Sequence, residues 1–269
     1  MIAVDLLGFG ASEKPRSQLS GEVAAPGSVR YCFDLWAQQV IDLLTHLQTP
    51  APVELHLIGN SIGAMVALTA AKALQQEGRA PKQVVLIDCA QRTLDDKRLP
   101  QQPLLARLLR PTLKGLTRQR WLTAALFRQL ATRGTIRGVL KQAYPSGANV
   151  DRELIDLLYQ PTQSPGAPES FRGFINLFSD HLAPSLLQDL STETQAEPPE
   201  VRMIWGSKDP WEKPSEAAEW TRLFACIKEL KLIPEAGHCP HDERPDLVNP
   251  ILRQWLFGTT EPSISALER

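Results

Sequence analysis

The sequence lacks any run of about 20 consecutive apolar residues, which is the length that a membrane-spanning helix requires. Its most apolar stretch, residues 62–74, is interrupted by Thr69 and Lys72. The first ten residues lack the basic region that opens a secretory signal peptide, and an acid follows early, at Asp5. We therefore expect a chain that is not integral to a membrane and that shows no signal peptide.

Cysteine is scarce, and neither sign of charge is in excess. The cysteines are Cys32, Cys89, Cys226 and Cys239. They show no CxxC spacing, and a chain of 269 residues needs no disulfides to fold, so we expect reduced thiols and a cytoplasmic protein. With 29 basic and 30 acidic residues, the chain has no general attraction to nucleic acid, and we expect no such partner.

The chain does contain an alternation of short β-branched runs with longer helical patterns. The short runs predict strands at residues 2–4, 53–58, 84–87, 201–205 and 230–233. Apolar residues that recur at intervals of three and four predict helices at residues 34–47, 62–77, 214–224 and 245–256. This order predicts an α/β fold with a mostly parallel sheet that is covered by helices on both faces.

Strand patterns disappear between residues 92 and 198, where helical patterns occur instead at residues 104–109, 121–130 and 152–159. We interpret residues 92–198 as a helical cap, with a proline-rich loop at residues 161–168, inserted between the two parts of an α/β core, residues 1–91 and 199–258. Residues 259–269 are expected to form a mobile tail.

The strongest chemical motif is G-x-S-x-G at residues 59–63, between a predicted strand and a predicted helix. This setting is typical of a nucleophile elbow, a strained turn that exposes a serine at the carboxyl end of a sheet. Small residues at positions 59 and 63 would let the turn approach neighbouring backbone. Ser61 is therefore the candidate nucleophile, and the backbone N–H of Ile62 is a candidate oxyanion-hole donor.

A serine nucleophile needs a base, and His238 is the best-placed histidine. It comes shortly after the last predicted strand, where a flexible Gly237 would let the imidazole reach back to the serine. The less well placed histidines are His46, His56, His181 and His241. A metal site around His238, Cys239 and His241 is only weakly indicated, because no distant ligand accompanies them, and we expect neither a metal nor a cofactor.

The acid that orients the histidine is expected at another strand end. Asp209 follows the strand predicted at residues 201–205, and the chain order Ser, Asp, His favours it. Asp88, at the end of the strand predicted at residues 84–87, is the rival candidate.

Several motifs resemble the α/β-hydrolase superfamily. They are GFGASEKP at residues 8–15, GNSIG at residues 59–63, WGSKDPW at residues 205–211 and GHCPHDERP at residues 237–245. Their combination looks most like the pheophytinase-like serine esterases of photosynthetic organisms. The resemblance implies an α/β-hydrolase fold and a triad of Ser61, Asp209 and His238 acting on a carboxylic ester, such as a phytyl ester of a chlorin.

The chain departs from this family at its amino terminus, because it opens at what resembles the fourth strand. We expect an amino-terminally truncated fold, without the strand and loop that supply the second oxyanion-hole donor. In such a fold, the strand at residues 2–5 would stay separated from the strand at residues 53–59 by a vacant slot. Two alternatives to an esterase stay open: a carbon–carbon bond hydrolase with the same triad, and a noncatalytic binding protein.

Residues 97–141 contain eleven basic residues and no acidic one. Leucines interleave with these charges, so the segment predicts a cationic, amphipathic surface that could contact an anionic membrane face or a lipophilic substrate. The alternative is a solvated helix face that packs its leucines on the core. We expect two partners. One is an internal membrane, contacted from the cytoplasm, and the other is an apolar ester as substrate.

Overall fold

The computed structural model describes residues 1–47, 54–192 and 198–258, and at its centre lies a parallel sheet. Its strands are β1 (His56–Asn60), β2 (Gln83–Ile87), β3 (Glu200–Gly206) and β4 (Ile227–Ile233). They lie side by side in chain order, and each neighbouring pair is parallel. All of their carboxyl ends therefore lie at one edge, and the predicted parallel α/β sheet is confirmed.

Helices account for most of the remaining described residues. They are α1 (Phe33–His46), α2 (Ile62–Gln76), α3 (Leu104–Arg118), α4 (Arg120–Leu130), α5 (Arg133–Ala143), α6 (Arg152–Tyr159), α7 (Ala167–Ile175), α8 (Ala183–Thr192), α9 (Pro214–Leu223), α10 (Pro240–Glu243) and α11 (Pro245–Phe257). Proline begins α9, α10 and α11, where its missing N–H would have had no helical acceptor. The helices predicted in the core all form, with ends shifted by one residue at most.

The central strand β2 shows why helices cover both faces of the sheet, since all of its residues are buried. Val84 and Leu86 pack into one apolar cluster with α1, α2, α8 and α9. Val85 and Ile87 point to the opposite face and pack with Val248 and Trp255 of α11. Successive side chains of a strand point to opposite faces, so this unbroken apolar run requires a cover on each side.

Among the described residues between β2 and β3, every regular element is a helix, as the loss of strand pattern predicts. Its helices do not all stand apart from the sheet, because Leu186, Leu187 and Leu190 of α8 join the main core cluster. A separate small cluster joins α5 and α6. The division into a core and a cap at residues 92–198 stays a prediction, and residues 259–269 lie outside the described part.

Two local predictions are wrong. Residues 2–5 form no strand in the described part of the chain; instead the Asp5 carboxylate accepts the N–H of Ala11 at 2.8 Å, and the following Leu7 bonds to side chains of α1. Among the described residues β1 pairs with β2 and not with residues 2–5, so direct pairing of these two segments is not seen, and the vacant slot stays a prediction. Residues 161–168 are not all loop either, because a 3-10 turn occupies residues 160–163 and α7 begins at Ala167.

None of the helices in the described residues is long and apolar enough to cross a membrane.

A partly buried ion-pair network joins the amino-terminal segment to α4 and α7. The side chain of Arg172 is only 1% exposed, and it donates to the Glu22 carboxylate and, at 3.0 Å, to the Ser17 hydroxyl. Arg120 bridges Glu22 and Glu169. The hydrogen bond from Arg172, together with the charges of both arginines, lowers the pKa of Glu22 from its ordinary value of 4.5 to about 2.

This network predicts an acid-sensitive contribution to stability. Glu22→Gln should lower the free energy of unfolding at pH 7 by about 3 kcal/mol, because it leaves a buried arginine without a charged partner. Since the folded pKa is about 2 and the ordinary value is 4.5, the contribution is complete above pH 4.5 and disappears as pH falls toward 2. Urea unfolding of the wild type and the variant across this pH range measures it.

Glu54→Gln is the matched control, since Glu54 pairs with Lys82 on the surface. An equal loss in this control, or a Glu22 effect that does not shrink on acidification, would contradict the assignment.

Candidate active site

Ser61 lies in the sharp turn between β1 and α2, where its backbone adopts φ 53° and ψ −115°. A side chain makes this conformation costly, so the surrounding structure must hold it in place. The Ser61 N–H donates to the carbonyl of Ile87 at 2.9 Å, and its own carbonyl accepts from the N–H of Ala90 at 3.2 Å. The end of β2 therefore stabilises the turn that places Ser61 at the carboxyl edge of the sheet.

Close packing leaves no room for a Cβ at only one of the two glycines of the motif. A Cβ at Gly59 would lie 2.1 Å from the carbonyl oxygen of Gly63, whereas a Cβ at Gly63 would meet nothing within 4 Å. The expectation that both positions must be small is therefore correct for Gly59 only. Gly63 contributes the backbone that Gly59 approaches.

Asp209 and His238 are brought together at the same edge. Asp209 follows β3, and its Oδ2 lies 2.8 Å from Nδ1 of His238, which follows β4. The other carboxylate oxygen accepts the N–H groups of Trp211 and Glu212, at 2.8 and 3.1 Å. Burial is the largest single influence and would raise the pKa of Asp209, but the hydrogen bonds from His238, Asp88 and the Trp211 N–H, with the attraction of His238, together hold that pKa below its ordinary value. The imidazole is therefore anchored through Nδ1, and Nε2 forms no hydrogen bond with a described residue.

The loop that carries His238 is held by close backbone contacts, although the sequence suggests a flexible segment. A Cβ at Gly237 would lie 2.2 Å from the carbonyl oxygen of Ala143, at the end of α5, and that same carbonyl accepts the His238 N–H at 2.8 Å. The buried Glu243 accepts the Gly237 N–H at 2.6 Å. Glycine is thus needed here for close packing, and not for the freedom of movement that the sequence suggests.

Asn60 connects the serine turn to the histidine loop. Its side-chain amide donates to the carbonyls of His238 and Ile87, at 3.0 and 3.2 Å. The Ser61 hydroxyl itself forms no hydrogen bond with any described residue, so the structure joins the two loops without closing a serine–histidine contact. Such contacts often tighten only when substrate binds. Ile62 begins α2, so its N–H has no acceptor within the helix and is available to an oxyanion.

Asp88, the rival acid, lies fully buried behind Asp209. Its Oδ1 accepts the N–H of Gly206 at 2.9 Å. Burial raises the pKa of Asp88 well above its ordinary value, and a hydrogen bond with Asp209 raises it further. Because Oδ2 of Asp88 finds no donor within the described part of the chain, a proton on Asp88 that is donated to Asp209 satisfies both groups.

The other histidines take no part in this arrangement. His181 lies 2.7 Å from Asp34 near the surface, and burial lowers the pKa of His241 in α10. His56 lies in β1, and His46 ends α1.

Two groups of side chains in the described residues are close enough to bind a metal ion. They are Asp34, Asp180 and His181, and Asp88, Asp209 and His238. The pattern of His238, Cys239 and His241 forms no such group within the described residues. In the second group, a proton on Asp88 bonds to Asp209, and Asp209 bonds to His238. Hydrogen bonding therefore explains why these three side chains lie together.

Sequence reasoning missed the residues that hold the site together. Glu243 fixes the histidine loop, Asn60 joins that loop to the serine turn, and the Trp211 ring packs edge-on with its centroid 4.8 Å from that of His238. All three lie inside the motifs quoted above, but the spacing of those motifs assigns no role to them. A buried acid in such a polar stretch has no periodic signal, so only the fold reveals its role.

A family model described as the alpha/beta hydrolase family matches residues 1–251 of the chain. Among curated proteins, the chloroplastic pheophytinase of Arabidopsis thaliana is 28% identical over 147 residues. That alignment covers 54% of this chain and only 29% of the pheophytinase.

Solved structures with the same fold include a meta-cleavage product hydrolase from Pseudomonas fluorescens, which is 18% identical, with a TM-score of 0.59, over 93% of this chain and 77% of that one. An esterase from Thermogutta terrifontis is 21% identical, with a TM-score of 0.59, over 94% and 77%. The epoxide hydrolase CorEH is 17% identical, with a TM-score of 0.65, over 93% and 79%. At these identities the likeness shows the fold alone.

The geometry of the serine turn predicts opposite effects for its two glycines. Gly59→Ala should destabilise the protein by about 3 kcal/mol, because the added methyl group overlaps backbone that cannot move aside. Gly63→Ala should be neutral or stabilising, by up to about 1 kcal/mol, since alanine favours a helix and the space is open. Thermal unfolding of both variants measures the difference, and equal destabilisation would contradict it.

Proposed function

The chain belongs to the alpha/beta hydrolase family, and we propose that it is a serine hydrolase that cleaves a carboxylic ester through an acyl-enzyme. The observation that carries the proposal is the 2.8 Å contact between Asp209 and His238 beside the strained serine turn. An imidazole anchored through Nδ1 presents Nε2 as a base, which is what a serine nucleophile needs.

In the proposed reaction, Ser61 Oγ bonds to the ester carbonyl carbon while Nε2 of His238 takes its proton. The Ile62 N–H stabilises the negative charge on the carbonyl oxygen. The carbon–oxygen bond to the alcohol then breaks, and His238 returns the proton to the departing alcohol. Water next bonds to the acyl carbon and gives a proton to His238. The bond between the acyl carbon and Ser61 Oγ then breaks, His238 returns the proton to Oγ, and the carboxylic acid leaves. Asp209 orients the imidazole throughout and stabilises its charged form.

We propose an apolar ester as the substrate, of the phytyl type. The name of the curated relative, pheophytinase, supports this class, although the alignment spans only 29% of that protein. Hydrolysis of a carbon–carbon bond would use the same triad, so comparing the turnover of a phytyl ester with that of a meta-cleavage product distinguishes the two activities. A noncatalytic binding protein would turn over neither.

The proposal predicts that a fluorophosphonate probe labels the full chain at Ser61. Ser61→Ala should abolish labelling, whereas Ser20→Ala, which alters an exposed serine, should leave it unchanged. Mass spectrometry of the labelled protein identifies the modified residue. Labelling that survives in Ser61→Ala would contradict the assignment of the nucleophile, and a wild type that stays unlabelled would favour the binding protein.

A further inference from the structure

Helix α3 presents its apolar side away from the protein. Six of its leucines are 47–69% exposed. They are Leu104, Leu105, Leu108, Leu109, Leu113 and Leu116. At 100° per residue these positions occupy one half of the helix circumference, and we refer to them as the leucine face. A surface helix of a soluble protein normally turns such a face inward.

The polar side of α3 makes the contacts with the rest of the molecule. Arg110 is buried and lies 3.0 Å from a carboxylate oxygen of Asp96, which also binds Lys114 at 2.5 Å. Farther along the helix, the Thr117 hydroxyl lies 3.2 Å from the side-chain oxygen of Asn176. Charged and polar contacts thus hold the helix with its leucine face outward, so that orientation is built into the fold.

Apolar exposure continues beyond α3. Trp121, in the first turn of α4, is 72% exposed, and Leu126 and Leu130 of the same helix are also exposed. Tryptophan is enriched where a protein meets the headgroup region of a bilayer, because its ring is apolar and its N–H is polar. The exposed surface therefore combines an aliphatic face with an interfacial aromatic side chain.

The basic charge of residues 97–141 is smaller than the sequence suggests, because acids from outside the segment neutralise part of it. Five of the eleven basic residues form ion pairs: Arg98, Arg110, Lys114, Arg120 and Arg133. Lys97 and Arg118 donate to backbone carbonyls. Four others are exposed and form no ion pair with a described residue: Arg107, Arg128, Arg137 and Lys141. These four charges remain for an external anion.

We propose that the leucine face and Trp121 dock on an anionic lipid surface. The apolar side chains enter the boundary between headgroups and acyl chains, and Arg107 and Arg128, which belong to the same two helices, contact lipid phosphates. Charge complementarity favours this occupant over a second copy of the chain, since a symmetric contact would bring like charges together. The surface shares no residue with the candidate active site, so the proposal stands independently of the proposed function.

Co-sedimentation of the full chain with vesicles tests the proposal. Vesicles of phosphatidylcholine with about a third phosphatidylserine should bind the protein at about 0.1 M salt, and binding should fall sharply at about 1 M, where the Debye length shrinks from about 10 Å to about 3 Å. Arg107→Gln with Arg128→Gln should weaken binding about thirtyfold, since each basic residue near an anionic surface contributes about 1 kcal/mol. Leu105→Gln with Leu109→Gln should also weaken it.

Leu223→Gln and Arg222→Gln are matched controls on α9, where both side chains are also exposed. They should bind like the wild type, and thermal melts should show every variant folded, because each altered side chain is exposed. Equal binding to neutral and anionic vesicles, or undiminished binding by the leucine variant, would overturn the proposal. So would a wild-type dimer in size-exclusion chromatography that the leucine variant converts to a monomer, because a second copy would then cover the face.

Discussion

The hydrogen bond between Asp209 and His238 is the interaction on which the candidate site depends. It joins the loops that follow β3 and β4, and neighbouring groups constrain both ends. The N–H groups after Asp209 hold its second oxygen, while Glu243 and the Ala143 carbonyl hold the backbone around His238. Because Ala143 ends α5, the helical segment between β2 and β3 helps to aim the imidazole.

Asp88 and Asp209 are buried carboxyl groups that lie side by side. Their surroundings separate their pKa values, so only one of them is charged and they do not repel each other. Asp88 is enclosed and has one N–H donor, so it keeps its proton; Asp209 receives several donors, so it stays charged. A protonated Asp88 donates to Asp209 and so positions it, without contacting the histidine in the manner of a triad acid. Asparagine could replace Asp88 in that task, since its amide offers the same donor and acceptor.

The sequence was sufficient to predict the parallel sheet and to place the candidates Ser61, Asp209 and His238 at its carboxyl edge, because a strand followed by a sharp turn is a local pattern and parallel strands end at one edge. It could not show which side of α3 meets the protein, because a hydrophobic period defines a face but not its partner. The strand expected at residues 2–5 failed for a related reason: an apolar run becomes a strand only where a neighbour can pair with it. Glu243 acts through tertiary contacts that no spacing encodes.

The role of Asp209 as the acid that orients His238 is tested most directly by comparing Asp209→Asn with Asp88→Asn. The measurements are the hydrolysis rate of an activated ester and the tautomer of His238 by ¹⁵N NMR. Asp209→Asn should lower turnover roughly 10⁴-fold, by analogy with serine proteases, and remove the proton from Nδ1. Asp88→Asn should keep turnover within about tenfold of the wild type and leave the proton on Nδ1, because one neutral donor replaces another. Loss of turnover in Asp88→Asn alone, or an Nε2–H tautomer in the wild type, would contradict the role of Asp209.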